Sequence, residues 1–231
     1  MKRLILAGLL ALIAGALVIG PASGSDDDDD DGRGSKRWLV TIQNLTPPGP
    51  GAPGSQPLSP PLFVVHSSRA DVWSVGEIAS HGVAAIAEDA DSSVLESALP
   101  QVDGVKSVAT GAGGPIPSGT TRTYTVETSG RFNRLSVLTM LVNTNDAFTG
   151  LDSFRARGRG ATLETMAYDA GSERNNELKS HIPGPCCGNA FVRAPEGNLI
   201  RMHEGITGRG ELDPARYDWE GPAARITVER T

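Results

Sequence analysis

One stretch constrains the fold more than any other: the run RLSVLTMLV, from Arg134 to Val142, is almost uninterruptedly apolar. A strand that alternates apolar and polar residues buries one face, whereas a strand that is apolar along its length is buried on both faces. The run therefore predicts a central strand with a layer of structure on each side. The rest of the chain must supply those two layers.

Most of the remaining chain has the pattern of strands. In KRWLVTIQNLT, Trp38, Val40 and Ile42 alternate with more polar neighbours, as in a half-buried strand. The Pro- and Gly-rich stretch from Pro47 to Pro61 is typical of a surface loop. Five further short runs have β character: TRTYTVET, ATLETMAY, AFVRA, LIRMHEG and ARITVER.

One region has helical spacing instead. Val83, Ile86, Ala87 and Ala90 recur at helical spacing, within a helical insert at about residues 76–99. A series of strands with one helical insert favours a mainly β fold over an α/β fold. We therefore predict a two-sheet antiparallel β-sandwich.

The amino-terminal segment has the pattern of an export signal. Lys2 and Arg3 precede the apolar run Leu4 to Ile19, and the small residues of Pro21 to Gly24 follow it. An uncleaved anchor is the alternative, although a spanning helix generally needs about 20 apolar residues. We predict a signal peptide over residues 1–24 and a secreted, periplasmic or extracellular protein with no membrane span after cleavage.

An acidic segment follows. Residues 25–35, SDDDDDDGRGS, contain six consecutive Asp and cannot bury an apolar face, so they predict a disordered, solvated spacer. The domain then occupies residues 36–231. The net charge of the chain is -6 and becomes about -8 once Lys2 and Arg3 are removed, which argues against nucleic acid as a partner because its binders are usually basic.

The two cysteines of the chain, Cys186 and Cys187, are adjacent within the turn-like sequence PGPCCGN. An exported protein meets oxidising conditions, so a bond between neighbouring cysteines is one reading. Such a bond closes too short a loop to stabilise much. We therefore favour the simpler reading, in which the cysteines are small residues in a Pro/Gly turn.

Two clusters of oxygen-bearing side chains each follow a β-like run. The first comprises Asn143, Thr144, Asn145, Asp146, Thr149 and Asp152, and the second comprises Asp169, Ser172, Glu173, Asn175, Asn176 and Glu177. If the two strands are neighbours, the clusters share one end of the sandwich, and carboxylates so close repel unless a cation lies between them. Oxygen ligands suit calcium, which accepts about six to eight of them. The same residues are also common turn formers, and spacing alone does not separate these two readings.

Four segments together resemble the spondin domain family, the amino-terminal module of F-spondin and mindin that also occurs in short bacterial secreted proteins. They are HSSRADVWSVGEIASHGVAAIAED, RFNRLSVLTMLVNTNDAFTGLDS, YDAGSERNNE and ARITVER, and the resemblance extends over about residues 36–230. It implies an extracellular, non-enzymatic antiparallel β-sandwich with one calcium ion bound by loops at one end. The extra cysteines and thrombospondin-type repeats of the animal proteins are missing from this sequence.

The resemblance also implies the metal ligands. An Asp that follows the long apolar strand corresponds to Asp146, the Asp of the DAG turn corresponds to Asp169, and an acidic residue four positions later corresponds to Glu173. The family pattern has Asp at this last position, so the longer Glu changes the reach of the ligand. Asp152 and Asn145 are candidates to support the ligands from behind.

These expectations lead to three hypotheses of function. The first is an exported calcium-binding module for extracellular adhesion or ligand binding, whose partner is an unidentified extracellular protein or surface polymer. The second is a secreted hydrolase that uses the acidic cluster and a nearby His, although the sequence lacks a nucleophile elbow. The third is a passive structural protein of the envelope or matrix.

Overall fold

The computed structural model of the protein describes residues 34–49 and 54–231. The predicted signal peptide, residues 1–24, and most of the predicted acidic spacer, residues 25–35, lie outside these ranges. Within them, no helix has the length and apolar character needed to cross a membrane.

The described chain forms two antiparallel sheets, which confirms the predicted mainly β sandwich. Its strands are β1 (Lys36–Asn44), β2 (Leu62–His66), β3 (Val105–Thr110), β4 (Thr121–Thr128), β5 (Arg134–Met140), β6 (Ala147–Arg155), β7 (Gly160–Thr165), β8 (Tyr168–Asp169), β9 (Arg201–Met202) and β10 (Ala224–Arg230). One sheet has the order β4-β1-β10-β7, and the other has the order β3-β2-β5-β6-β8-β9.

The main core lies between the two sheets. Trp38, Val40 and Ile42 project from β1 into this core, as their alternation predicts, and they pack with apolar residues of the six-stranded sheet such as Val65 and Val137. Each of these five side chains is buried. Burial of apolar surface on this scale is the main stabilising term of such a sandwich.

The outer face of the six-stranded sheet is covered by helices. These helices are α1 (His81–Asp89) and α2 (Ser93–Ala98), whereas the short α3 (Pro214–Tyr217) packs its Tyr217 against the core between the sheets. Val64 of β2 and Leu138 of β5 pack against Val83 and Ile86 of α1 in a second apolar cluster. Strand β5 is therefore central and buried on both faces, which confirms the prediction made from its nearly continuous apolar run.

The helical insert is shorter than the predicted span of about 76–99. Helix α1 begins only at His81, where the Ser80 side chain accepts a 3.3 Å hydrogen bond from the Val83 amide. Before it, residues 75–77 form a turn and Ile78 forms an isolated β-bridge with Leu199, next to β9 in sequence. Pairing with a neighbouring segment thus overrides local helical preference before the Ser80 cap.

The Pro-rich stretch from Pro47 to Pro61 is only partly the surface loop that we predicted. Residues 55–59 are buried. The Gln56 side chain donates a 2.8 Å hydrogen bond to the Tyr217 carbonyl, and the Gln56 carbonyl accepts a 2.8 Å bond from the Asn44 side chain. Polar groups that are satisfied inside the protein can be buried at little cost, and the composition of the loop does not reveal those partners.

Two of the predicted strands are wrong in type or extent. AFVRA, residues 190–194, forms no strand, and its Phe191 has a φ of +65°, which extended backbone does not adopt. Within LIRMHEG, only Arg201–Met202 form a strand. Conversely, β6 begins directly after Asp146, so Thr149 and Asp152 lie on a strand and not in the oxygen-rich loop where the sequence placed them.

The cysteine prediction is also corrected. Cys186 and Cys187 are bonded to each other as a vicinal disulfide. They do lie in a turn, and both side chains pack against the inter-sheet core. The Cys186 amide donates a 3.1 Å hydrogen bond to the Asn143 side chain, so this turn rests on the loop between β5 and β6.

Candidate metal centre

The two oxygen-rich segments meet at one end of the six-stranded sheet. Strands β6 and β8 are antiparallel neighbours, with Ala147 opposite Asp169. The turn from β5 into β6 therefore lies beside the turn that leaves β8. The Ala170 amide donates a 3.1 Å hydrogen bond to the Asp146 carbonyl, which joins the two turns through their backbones.

The Asp146 carboxylate points into the turn after β8. Its Oδ2 atom accepts hydrogen bonds from the amides of Ser172 and Glu173, both at 2.9 Å, and from the Ser172 hydroxyl at 3.2 Å. Its Oδ1 atom is buried and has no hydrogen-bond partner among the described residues. One oxygen thus orders the turn, whereas the other is available to a ligand.

Glu173 shows the same division between its two oxygens. Its Oε1 atom accepts a 3.2 Å hydrogen bond from the Ala194 amide and lies 3.6 Å from the Arg193 guanidinium. Its Oε2 atom is buried, and nothing in the described part of the chain bonds to it. Two buried and unpaired carboxylate oxygens, on two residues joined by a hydrogen bond, are costly, because a buried polar group normally has a partner.

Asp169 differs because both of its oxygens are paired. Oδ1 accepts a 2.6 Å bond from the Gly171 amide, and Oδ2 accepts a 2.8 Å bond from the Asn175 side chain. Oδ2 also lies 2.7 Å from an Arg201 guanidinium nitrogen. The carboxylate therefore has a cation beside it already, although each oxygen retains capacity for a further ligand.

The surroundings make ionisation of these acids unfavourable. Burial, with the negative charge of Asp169, raises the pKa of Asp146 to about 7. Burial, with the charges of Glu88 and Asp146, raises the pKa of Glu173 to about 8. Burial also raises the pKa of Asp169, against the lowering effects of the Gly171 amide and Arg201. A bound divalent cation would reverse this balance by stabilising the charged forms.

The donor set fits a hard cation. All three acidic side chains are buried, and their donors are oxygens, as calcium prefers. Within residues 34–49 and 54–231, however, no three His, Cys, Asp or Glu side chains form a ready-made metal cluster. Two of the three acids are instead held in separate ion pairs. Asp169 pairs with Arg201, and Glu173 pairs with Arg193. The fit therefore rests on the two unpaired oxygens of Asp146 and Glu173.

Several of the other predicted oxygen side chains have structural partners instead. Asn143 donates a 2.8 Å bond to the Ser55 carbonyl, and the Thr144 hydroxyl donates a 2.6 Å bond to the Leu141 carbonyl. The Asn145 side chain accepts a 3.2 Å bond from the Glu177 amide and so ties the two segments together from behind the carboxylates. For these residues the turn-forming reading of the sequence is the correct one.

Asp152 lies away from the other predicted ligands. It follows Asp146 by six residues along β6, a separation of roughly 20 Å in an extended strand. Its carboxylate accepts a 3.1 Å hydrogen bond from the Ser74 hydroxyl. The structure therefore brings Asp146, Asp169 and Glu173 together and leaves Asp152 outside the group, because the strand continues where a loop was predicted.

Sequence reasoning missed the basic side chains of the site. Arg201 contacts Asp169, and Arg193 contacts Glu173 together with Glu88 and Asp89 of α1. Arg201 comes from a two-residue strand, and Arg193 comes from a run that the sequence predicted as a strand. Nothing in the local pattern marks either residue, since exposed arginines are common on any surface.

His203 was also missed as a neighbour of the site. Its Nδ1 accepts a 3.0 Å bond from the Gly205 amide, so the proton lies on Nε2 and is donated to the Asn175 side-chain oxygen at 3.2 Å. Asn175 in turn bonds Asp169. Burial lowers the pKa of His203 to about 4, so the imidazole is neutral at pH 7 and serves to orient Asn175.

A cleft of about 310 Å³ adjoins the site through Arg193. It lies between α1 and the segment around Phe191, and its lining includes Glu88, Asp89 and Asp91. The Phe191 side chain is exposed there, and its amide donates a 2.9 Å bond to Asp89. The Arg193 guanidinium thus belongs both to the candidate metal centre and to this cleft.

A family model described as Spondin_N matches residues 53–180, just over half of the chain. The matched segment contains Asp146, Asp169 and Glu173 but ends before Arg193 and Arg201. No curated protein matches the chain.

Proposed function

Because the chain belongs to the spondin N-terminal domain family, whose members are typically extracellular, we propose that it is an exported binding module with one calcium ion at the loop end of its sandwich. Asp146, Asp169 and Glu173 would hold the ion, and the loops that it fixes would contact an extracellular protein or a surface polymer. The observation that carries this proposal is the pair of buried, unpaired oxygens on Asp146 and Glu173.

Calcium would supply charge neutralisation and a cross-link between two turns. The turns are distant along the chain, and the Asp146 carboxylate already bonds the Ser172 and Glu173 amides. An ion on the free oxygens would join the same turns a second time and would offset the burial and the like charges that raise the pKa of both acids. A loop end stiffened in this way loses less entropy when it binds a partner.

The experiment is a thermal melt of chelator-treated protein, shown to be metal-free, with and without calcium. A ligand that binds only the folded state at about 100 times its Kd adds about 2.7 kcal/mol, or about 5–10 °C for a domain of this size. Asp169→Asn should abolish this gain, whereas Asp152→Asn, a matched change on β6, should leave it intact. Equal melting temperatures with and without calcium would refute the proposal.

Adhesion and the lack of enzymatic activity need their own tests. Capture of partners from the extracellular fraction of the source, with and without calcium, separates a binding module from a passive structural protein. A screen with ester, glycoside and peptide substrates tests the hydrolase alternative. Turnover that disappears in Asp169→Asn would favour that alternative, which uses the same acidic cluster.

A further inference from the structure

Arg201 lies directly beside the candidate metal centre on the neighbouring strand. Asp169 of β8 and Arg201 of β9 are paired across the sheet, and the guanidinium lies 2.7 Å from Asp169 Oδ2. The Asp169 side chain is 2% exposed, whereas the Arg201 side chain is 49% exposed. The carboxylate is therefore fixed in the protein, and the arginine is the partner that has room to move.

A second carboxylate lies within reach of the same guanidinium. The Arg201 nitrogen that contacts Asp169 is also 3.3 Å from Glu196 Oε1. Glu196 is held near the site because its amide donates a 2.9 Å bond to the Ser172 carbonyl. One guanidinium nitrogen is thus shared between an inner acid, Asp169, whose side chain is 2% exposed, and an outer acid, Glu196, whose side chain is 20% exposed.

We propose, on the premise that the proposed calcium site is correct, that Arg201 is a built-in counter-cation that occupies Asp169 without metal and moves to Glu196 when a divalent ion binds. In the metal-free protein the guanidinium neutralises part of the buried negative charge. When calcium binds, the same positive charge opposes the ion. Arg201 therefore stabilises the empty site and lowers its affinity for calcium.

This arrangement also favours divalent over monovalent ions. A monovalent ion that displaces Arg201 from Asp169 brings the same single charge that it removes, so it gains little electrostatic energy. A divalent ion brings one charge more, in a buried site where charge interactions are strong. Arg201 thus prevents the binding of a monovalent ion but not that of a divalent ion.

The test compares the calcium affinity of metal-free wild type and Arg201→Gln by isothermal titration calorimetry. We expect Arg201→Gln to bind calcium at least tenfold more tightly, and to melt at a lower temperature than wild type in chelator. Arg209→Gln is the matched control, because Arg209 is 45% exposed and pairs instead with Glu177 and Glu204. Its calcium affinity should stay within about twofold of wild type.

Two further variants separate charge from packing. Arg201→Lys retains the charge and should keep an affinity within about threefold of wild type. If Arg201→Gln fails to fold, Glu196→Gln still tests the proposal, because it leaves Arg201 in place. Glu196→Gln removes the outer acid, holds Arg201 on Asp169 and should weaken calcium binding. In the Arg201→Gln background, that effect of Glu196→Gln should shrink to less than twofold.

The outcomes distinguish the two proposals. If wild type binds calcium and Arg201→Gln binds it no more tightly, the role of Arg201 is overturned while the calcium site stands. If neither protein binds calcium, both proposals fail. If Arg201→Gln loses both stability and affinity while Arg201→Lys retains both, Arg201 is a structural strut, and the counter-cation role is refuted.

Discussion

The amide of Glu173 donates a 2.9 Å hydrogen bond to the carboxylate of Asp146, a residue 27 positions earlier in the chain. This bond joins the turn that precedes β6 to the turn that follows β8. Each of these two residues also has one carboxylate oxygen that is buried and has no partner among the described residues. The site is therefore already assembled by the backbone and is left with an excess of negative charge.

The first prediction concerns Asp146→Asn. The Asn oxygen can still accept the bonds from the Ser172 and Glu173 amides, while its NH₂ group replaces the unpaired Oδ1. In chelator at pH 8, we expect the variant to be as stable as wild type or about 1 kcal/mol more stable, because one buried charge is gone. The stabilisation by calcium should disappear. Urea denaturation with and without calcium measures both effects, and a variant that keeps the calcium effect would contradict this role for Asp146.

The second prediction concerns pH. The folded-state pKa is raised to about 7 for Asp146 and about 8 for Glu173, so the folded state binds more protons than the unfolded state in the range between the ordinary carboxyl pKa and these values. Stability from these groups is present at low pH and is lost as the pH rises through 7 and 8. His203, with its pKa lowered to about 4, acts in the opposite direction but only below about pH 6.5.

Between pH 6.5 and 8.5, metal-free protein should therefore lose roughly 1–3 kcal/mol of stability, a fall of several degrees in melting temperature. Excess calcium should flatten this dependence because the ion stabilises the charged carboxylates. Melting curves across the pH range in chelator and in calcium provide the measurement. A metal-free melting temperature that rises with pH in this window would show that the two acids are not destabilised by ionisation.

The third prediction concerns Arg193. This guanidinium contacts Glu88, Asp89 and Glu173, and the Asp89 side chain is only 1% exposed. Arg193→Gln leaves these acids without their shared cation, and we expect a loss of about 1–3 kcal/mol, reduced from the full cost of a broken buried pair because Arg193 itself is 30% exposed. Arg225→Gln, which breaks an exposed pair with Glu164, should cost less than about 1 kcal/mol. Similar losses for both variants would argue against a buried network around Arg193.

The fourth prediction concerns the vicinal disulfide. Thiol titration of the unfolded, unreduced protein should find no free thiol, and titration after reduction should find two, since Cys186 and Cys187 are bonded. Reduction should change the stability by less than about 1 kcal/mol, because the bond closes a minimal loop. The Asn143 contact uses the Cys186 amide and does not depend on the bond. A large loss of stability on reduction would show that the bond itself holds this turn.

The sequence predicts the main strands of this protein because each depends on a local pattern of apolar and polar residues. The nearly continuous apolar run up to Val142 predicts a strand buried on both faces, and the alternation from Trp38 to Ile42 predicts a strand that faces the core. Both are confirmed. The start of β6 directly after Asp146 is less predictable, because Ala147 begins this strand by pairing with Asp169. A pairing partner distant in sequence leaves no mark on the residues themselves.

The site is predictable only in part for the same reason. Asn143 and Asp146 have similar oxygen chemistry and lie three residues apart, yet Asn143 is bonded to Ser55 while Asp146 keeps one oxygen free. The residue that decides the role of Asn143 lies 88 positions earlier in the chain. Arg201 likewise gains its role only because β9 pairs with β8. The sequence shows which side chains could act as ligands. Only the fold shows which of them contact residues that are distant in the chain.

The most direct test of the calcium site is a calorimetric titration of chelator-treated wild-type protein with calcium at pH 7.5, beside Asp146→Asn and Asp152→Asn. The account predicts one ion bound per chain in wild type and in Asp152→Asn, and no measurable binding in Asp146→Asn. Wild-type protein that binds no calcium, or Asp146→Asn that binds it as tightly as wild type, would contradict the account.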